Sequence, residues 1–256
     1  MKTTGKEAVL EGATVAKREE EGIEVGKSPY RYVIIGLYLY YLIIVGMSNN
    51  PLTPISSTTM RVYEVTGDKV ALTTSICQIA NIIASFPSIA FANRAGVRWT
   101  IMLGTLLLAV GMTTRHLINE NFLYVPLGQL FAGAAGPFLN AVQANVITGW
   151  FNKQQRGIWL ALTSLGSPLG VMFGFVIPLF FMSSSDSIDN ATQKSNMRLY
   201  LLFEGGLAIA ALVTAVVLFK AAPPALINET QSIDDIKNRE TFILPDPEEG
   251  TMEGLL

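Results

Sequence analysis

Long stretches without aspartate, glutamate, lysine or arginine dominate the sequence. Five such runs are uninterrupted, and a sixth is interrupted only by Glu204. The runs cover residues 32–60, 70–93, 99–114, 121–152, 157–185 and 199–219. A helix needs about 20 apolar residues to cross a hydrocarbon core about 30 Å thick, and every run except the third meets that length. The third is short, but Arg98 and Arg115 at its ends can bury their stems while their heads reach the headgroups.

These runs predict an all-α membrane protein with six transmembrane helices. Each run is far longer than a barrel strand, which needs roughly 10 residues, and each is apolar all round instead of alternating. A single run could be a core helix of a soluble protein. Six in succession, joined by short charged loops, leave almost nothing to form a solvent-facing surface. The composition agrees, because half of the residues are hydrophobic and only 15% are charged.

Charge and cysteine content exclude several classes of function. The formal net charge is −2 and the sequence has no basic stripe, so we expect no nucleic-acid partner. The single cysteine, Cys77, cannot form a disulfide framework or a cysteine-rich metal site. The sequence pattern contains no nucleophile paired with a base, no metal-ligand cluster and no phosphate-binding glycine loop. We therefore expect no enzyme, no metal and no cofactor.

The distribution of lysine and arginine predicts the orientation of the helices, since cytoplasmic loops carry an excess of both. If the N-terminus is cytoplasmic, 13 of the 18 basic residues fall on the inner side. Both termini are therefore predicted to face the cytoplasm. The chain then divides into a cytoplasmic tail at 1–31, a bundle at 32–220 and an acidic tail at 221–256, which its composition predicts to be disordered. No cleavable signal precedes residue 32, so we expect the first helix to direct insertion into a plasma membrane or endomembrane.

The loop between the second and third runs carries a family resemblance. Residues 86–98 read FPSIAFANRAGVR. This segment resembles the cytoplasmic signature of the major facilitator superfamily, in which an acid and a base precede a glycine and another base. Asn93 stands where the acid is expected, and Ile89 where the first glycine is expected. A tight turn at Gly96 would hold cations at the inner surface, so we interpret Asn93, Arg94, Gly96 and Arg98 as a gating loop.

A second segment resembles one branch of that superfamily. Residues 166–178 read GSPLGVMFGFVIP and are similar to a Gly-Asn-Gln-Leu-Gly segment of the feline leukaemia virus subgroup C receptor-related branch. The resemblance extends over residues 31–224. Relatives in that branch handle choline-like cations, haem has been proposed, and a tryptophan of the first helix contributes to an aromatic cage. The tryptophans of this chain are Trp99, Trp150 and Trp159, none of them in the first run, so the solute cannot be carried over from the family.

The resemblance also implies an architecture. Transporters of this superfamily consist of two six-helix bundles that rock about a site near the midplane, and the present sequence would supply the first bundle. We interpret the chain as half of a facilitator-type transporter in the lipid bilayer, for a small organic solute such as an organic cation. A second six-helix half, from a copy of the chain or a separate chain, would complete it. The alternative is a non-transporting structural subunit of a larger membrane complex.

Polar side chains inside the apolar runs are the candidate solute-binding residues. The fourth run places four residues near one helical stripe, and two amides of the second run share a face. They are Gln129, Gly136, Asn140 and Gln143 in the fourth run, and Gln78 and Asn81 in the second. Amides are costly against lipid, so these residues either line a watery cavity or form hydrogen bonds between helices. Both interpretations stay open.

Three further candidates lie in the first and last runs. Tyr38 and Tyr41 could present ring faces to a cation, or could pack within the bundle. Glu204 lies about 8 Å from the outer end of its helix at the usual rise. It could ionise near the interface, bind a cation or proton, or accept a hydrogen bond from Tyr200 one turn earlier.

Glycine spacing in the fifth run predicts a packing surface. Gly166, Gly170 and Gly174 repeat every four residues and share one helical face. In lipid, small residues allow two helices to approach closely, so this face is expected to be a seam between helices. Pro168 and Pro178 are expected to bend the helix.

Overall fold

A computed structural model describes residues 30–151, 153–182 and 189–219. Within these ranges the chain is helical and contains no strand. The predicted acidic tail at 221–256 and all but the last two residues of the predicted tail at 1–31 lie outside the described ranges. The helices are α1 (Tyr30–Ser48), α2 (Ser56–Tyr63), α3 (Gly67–Thr114), α4 (Tyr124–Ala141), α5 (Gln143–Trp150), α6 (Lys153–Ser164), α7 (Gly166–Phe181) and α8 (Asn190–Val217).

The longest helix, α3, is a hairpin of two arms. Its 48 residues would extend about 72 Å at the usual rise, more than twice the thickness of a hydrocarbon core. Gly96 interrupts the helix with a φ of 80° and a ψ of 174°, a backbone conformation available essentially to glycine alone. Both arms pack on α4, since Gly133 of α4 touches Cys77 and Gly128 touches Gly111. The chain therefore reverses at Gly96, and the predicted tight turn is confirmed.

Among the described residues, five helical stretches are long and apolar enough to cross a membrane. One of the five is Gly67–Asn119, which contains both arms of α3 and the 3₁₀ turn that follows them. The expectation of six spans counts the two arms separately and stays a prediction.

The first charge-free run, 32–60, contains more than one helical segment. α1 ends at Ser48, and a 3₁₀ turn at Thr53–Ile55 and the short helix α2 follow within the stretch Tyr30–Tyr63. Pro51 and Pro54 lack the N–H group that would continue the helical hydrogen bonds. A charge-free run indicates residues that tolerate an apolar environment. It does not indicate where a helix ends, because that depends on backbone features such as proline.

The predicted glycine seam joins α7 to α1. A Cβ atom on Gly170 would lie 1.9 Å from the Ile43 carbonyl oxygen, and one on Gly174 would lie 2.9 Å from the Met47 carbonyl oxygen. On α1, a Cβ on Gly46 would lie 2.1 Å from the Ser167 carbonyl oxygen. These distances leave no room for a side chain, so the two backbones are in direct contact and the seam is confirmed.

The bundle has two ends, which we call the Arg115 end and the Gly96 end. At the Arg115 end, α1 and the second arm of α3 finish, and α4 and α8 begin. At the Gly96 end, α1 begins, α3 reverses, α5 is followed by α6, and α8 finishes. The core between the ends is filled by side chains from α1, α3, α4, α5 and α8. Large apolar side chains such as Ile158 and Phe180 point outward, as expected of helices that contact lipid.

Candidate functional site

A cluster of buried polar groups joins the end of α1, the 3₁₀ turn that follows α3, and α8 at the Arg115 end. The guanidinium of Arg115 is fully buried, and its Nη1 lies 3.6 Å from Oε2 of Glu204, which is also buried. Its Nη2 donates a hydrogen bond of 3.2 Å to the Ser48 carbonyl oxygen at the end of α1. The Tyr200 hydroxyl donates to Oε1 of Glu204 at 2.7 Å, as the one-turn spacing of the two residues allows. We call Ser48, Arg115, Tyr200 and Glu204 the charged clamp.

The clamp corrects one prediction. The head of Arg115 was expected to reach the headgroups, but it is turned into the protein and 0% exposed. Space for it comes from Gly128 of α4, where a Cβ atom would lie 2.7 Å from Cγ of Arg115. A buried acid needs an opposite charge, and the end of α1 offers a partly negative carbonyl. Arg115 is therefore a functional candidate that the sequence did not reveal. The signal that could have indicated it is Glu204, an acid within an apolar run that needs a positively charged partner.

The two tyrosines of α1 are both fully buried. The Tyr38 hydroxyl donates a hydrogen bond to the Leu139 carbonyl oxygen of α4. The Tyr41 hydroxyl lies 3.3 Å from Oγ1 of Thr214 on α8, and its ring contacts that of Phe219 with 6.4 Å between centroids. This arrangement favours the packing interpretation for both rings, because each joins α1 to a neighbouring helix.

The six predicted residues of the amide stripes differ in their surroundings. Gln129 is fully buried, and neither its amide oxygen nor its amide nitrogen has a hydrogen-bond partner among the described residues. Asn81 is half-buried, and a Cβ on Gly136 would lie 3.1 Å from its Nδ2. The side chains of Gln78 and Asn140 are exposed. Burial follows the neighbouring helices, so a shared stripe does not give these residues a shared environment.

Gln143 follows the point where the fourth run is broken. α4 ends at Ala141, Val142 has a φ of −105° and a ψ of 2°, and α5 begins at Gln143. The Gln143 amide donates to Oγ1 of Thr163 at 2.9 Å and to Oγ of Ser164 at 3.1 Å. In this arrangement, Gln143 joins two helices.

The predicted gating loop lies on the surface at the Gly96 end. Asn93, Arg94, Gly96 and Arg98 are all exposed. Nη2 of Arg98 lies 3.4 Å from the Val216 carbonyl oxygen near the end of α8. The contact is long for a hydrogen bond, but it places a cation beside the partly negative end of a helix. A role for this loop as a gate stays a prediction.

Among the described residues, the five long apolar helical stretches and their outward-facing apolar side chains are typical of an integral, multi-pass membrane protein. The family model described as Major Facilitator Superfamily matches residues 38–246. The chain belongs to this superfamily, which is a family of transporters.

Relatives and solved structures agree with this assignment. The chain is 25% identical over 211 residues to an uncharacterised MFS-type transporter of Caenorhabditis elegans, covering 81% of this chain and 35% of the relative. It is 26% identical over 157 residues to the choline/ethanolamine transporter FLVCR1 of Mus musculus, covering 59% of this chain and 27% of the relative. The chain thus spans about a third of the length of these curated relatives.

The fold is similar to that of solved transporters of the superfamily. The inward-open xylose transporter XylE from E. coli matches with a TM-score of 0.64 at 13% identity, over 84% of this chain and 58% of that structure. A bacterial homolog of the human lysosomal transporter Spinster, in an inward-facing conformation, matches with a TM-score of 0.63 at 15% identity. That match covers 77% of this chain and 45% of the structure.

Proposed function

We propose that the chain forms one half of a facilitator-type solute transporter that works by alternating access between two bundles. The family assignment supports the class of function, and the matched share of the solved transporters supports the half. One observation carries the proposal further. Gln78 of α3 and Asn140 of α4 expose their amides within helical stretches that are apolar enough to cross a membrane. An amide is costly against lipid, so each of these side chains is expected to meet a watery path or a second bundle.

We propose a small organic cation as the solute. The mouse relative is named a choline/ethanolamine transporter, which supports this class. The amides of Gln78, Asn81 and Asn140 can accept hydrogen bonds from a hydroxyl group or from an ammonium group that carries N–H. Glu204 is paired with Arg115 in an ion pair inside the bundle. The proposed cation would therefore be recognised by neutral groups and not by this acid.

The proposed transporter needs a second six-helix half, from another copy of this chain or from a separate chain, and lies with both termini in the cytoplasm. The excess of basic residues on that side supports the orientation. Epitope tags at both ends should be reached by antibody only after the membrane is permeabilised. A tag detected on intact cells would overturn the orientation.

Uptake into liposomes tests the proposed transport directly. The purified full chain is reconstituted, and accumulation of radiolabelled choline is compared with that in empty vesicles. We expect the wild-type chain to accumulate choline. Gln78→Ala and Asn140→Ala should each reduce this uptake, while Ile79→Ala should leave it unchanged. Ile79 is a matched control because it is exposed, adjacent to Gln78 and apolar. Accumulation equal to that of empty vesicles would contradict transport by copies of this chain alone.

A non-transporting subunit is the competing function. The exposed apolar side chains of α7, such as Phe180, would then bind other membrane proteins instead of lipid. Native mass spectrometry in mild detergent separates the two. A homodimer favours transport, whereas a stable assembly with unrelated proteins that survives Gln78→Ala and Asn140→Ala favours the subunit.

A further inference from the structure

A glycosylation motif lies at the start of α8, at the Arg115 end. Residues 190–192 read NAT, which has the order Asn-x-Thr with a residue other than proline in the middle. Proteins that pass through the secretory pathway acquire N-linked glycans at such tripeptides. The sequence contains one other, NET at residues 228–230, which lies outside the described residues. Because these tripeptides also occur by chance, the position of the asparagine in the fold decides whether it can be modified.

The first turn of α8 extends beyond the covered part of the bundle. Asn190, Gln193 and Met197 share one face of the helix, at spacings of three and four residues. Gln193 and Met197 are fully buried, whereas Asn190 is exposed. Ala191 and Thr192, the other two residues of the motif, are exposed as well. The covered part of this face therefore ends between Asn190 and Gln193, and the whole motif is open to solvent.

α8 is long enough to carry the motif past the lipid. Its 28 residues extend about 42 Å at the usual rise, whereas the hydrocarbon core is about 30 Å thick. The excess lies at the Arg115 end, because Lys194 and Arg198 are exposed there and the apolar run begins at Leu199. Asn190 lies about 13.5 Å along the axis from Leu199, which exceeds the about 5–8 Å of headgroups on one side of a bilayer.

Contacts with two neighbouring segments hold the start of α8 in this position. The amide of Asn119, in the 3₁₀ turn after α3, donates to the Lys194 carbonyl oxygen at 3.2 Å. The ammonium of Lys194 lies 5.8 Å from the ring centroid of Tyr63, the last residue of α2. The Tyr63 hydroxyl donates to Oδ1 of Asn119 at 2.5 Å, which joins the two segments to each other. The exposed asparagine is therefore presented one turn beyond a supported part of the helix.

We propose that Asn190 is an N-linked glycosylation site. The donor is an oligosaccharide carried on a lipid diphosphate at the lumenal side of the membrane. The side-chain nitrogen Nδ2 of Asn190 bonds to the anomeric carbon of the first sugar and loses one proton, while the sugar–phosphate bond breaks and the lipid diphosphate leaves. The site rests on the proposed orientation, which puts the Arg115 end on the outer side. Residues 228–230 are then cytoplasmic and stay unmodified.

A glycan at Asn190 restricts how the proposed transporter can assemble. The glycan is bulky and solvated, so neither a second bundle nor another protein can cover the first turn of α8. The exposed amides of Gln78 and Asn140 belong to α3 and α4, and a second bundle can still meet them.

Digestion with peptide-N-glycosidase F tests the site in the full chain expressed in cultured mammalian cells. We expect the wild-type chain to migrate faster on a denaturing gel after digestion, by the shift of one glycan. Asn190→Gln and Thr192→Ala should each remove this shift. Thr192→Ser should keep it, because serine also completes the motif. Asn228→Gln is the matched control and should keep the full shift.

The possible failures are distinguishable. An undigested wild-type chain that already migrates like the digested one, with both epitope tags cytoplasmic, would overturn the glycosylation site and leave the orientation standing. A shift that Asn228→Gln removes and Asn190→Gln keeps would overturn both. A shift that depends on Asn190, in a protein that accumulates no choline, would count against the proposed transport and support the glycosylation site.

Discussion

The Arg115 end of the bundle is held by charge, whereas the Gly96 end is held by amide hydrogen bonds and ring contacts. In the charged clamp, Arg115 joins the end of α1 to Glu204 of α8 in a fully buried setting. At the Gly96 end, the rings of Tyr30 and Tyr32 contact those of Trp150 and Trp159, and the neutral amide of Gln143 joins α5 to α6. Separating a buried ion pair exposes lone charges to a low dielectric, while separating rings does not. The comparison predicts that loss of a contact costs more stability at the Arg115 end than at the Gly96 end.

Removing one partner of the clamp should have the largest effect. Arg115→Ala leaves Glu204 buried without its opposite charge, and we expect a loss of about 3–5 kcal/mol in the free energy of unfolding. The measurement is unfolding of the purified protein in detergent micelles. Glu120→Gln, at an exposed acid close to the same end, is the control and should change stability little.

A double replacement of the clamp sharpens this result. Arg115→Met with Glu204→Leu removes both charges and keeps apolar volume, so it should recover most of the stability lost in Arg115→Ala. Equal losses in the single and double variants would show that the ion pair is not what holds the Arg115 end.

Gly96→Ala should have the next largest effect. A residue with a Cβ is strained at a φ of 80° and a ψ of 174°, at a cost of about 1–3 kcal/mol. Thermal unfolding measures the loss, with Gly206→Ala as control. A Cβ on Gly206 meets nothing within 4 Å, and alanine favours the helix there. Equal stability of Gly96→Ala and the wild-type chain would show that the two arms of α3 reverse without this backbone conformation.

Tyr32→Ala should loosen only the Gly96 end. The loss of its ring contacts with Phe151 and Trp159 is worth about 1 kcal/mol, and it should speed amide exchange in α5 and α6. Exchange at the Arg115 end, in the last turn of α1, should stay as in the wild-type chain. Faster exchange at both ends would contradict the difference between them, because the two ends would then open together.

Tyr41→Phe should have the smallest effect. It removes one hydroxyl whose contact with Thr214 is 3.3 Å long, and we expect less than about 1 kcal/mol in stability. Choline accumulation should be unaffected if the buried ring packs within the bundle. A clear loss of accumulation with stability unchanged would instead support Tyr41 as a solute contact.

Much of the fold was predictable because the relevant signals are local. Charge-free runs indicate the helices, the spacing of Gly166, Gly170 and Gly174 indicates the seam, and Gly96 indicates the turn. The contact between Arg115 and Glu204 was not predictable, since it depends on how helices distant in sequence are rotated. The same reason explains why Gln129, Asn140 and Gln143 share a stripe in sequence but not an environment: the break at Val142 and the neighbouring helices decide which side chains are covered.

The glycine seam has a consequence for how α1 and α7 can move. Backbone atoms of α7 lie against those of α1 from Ser167 to Gly174, so neither helix can slide without its ridges colliding with the next groove. We therefore expect the two helices to shift together as one rigid unit in any rearrangement of the bundle.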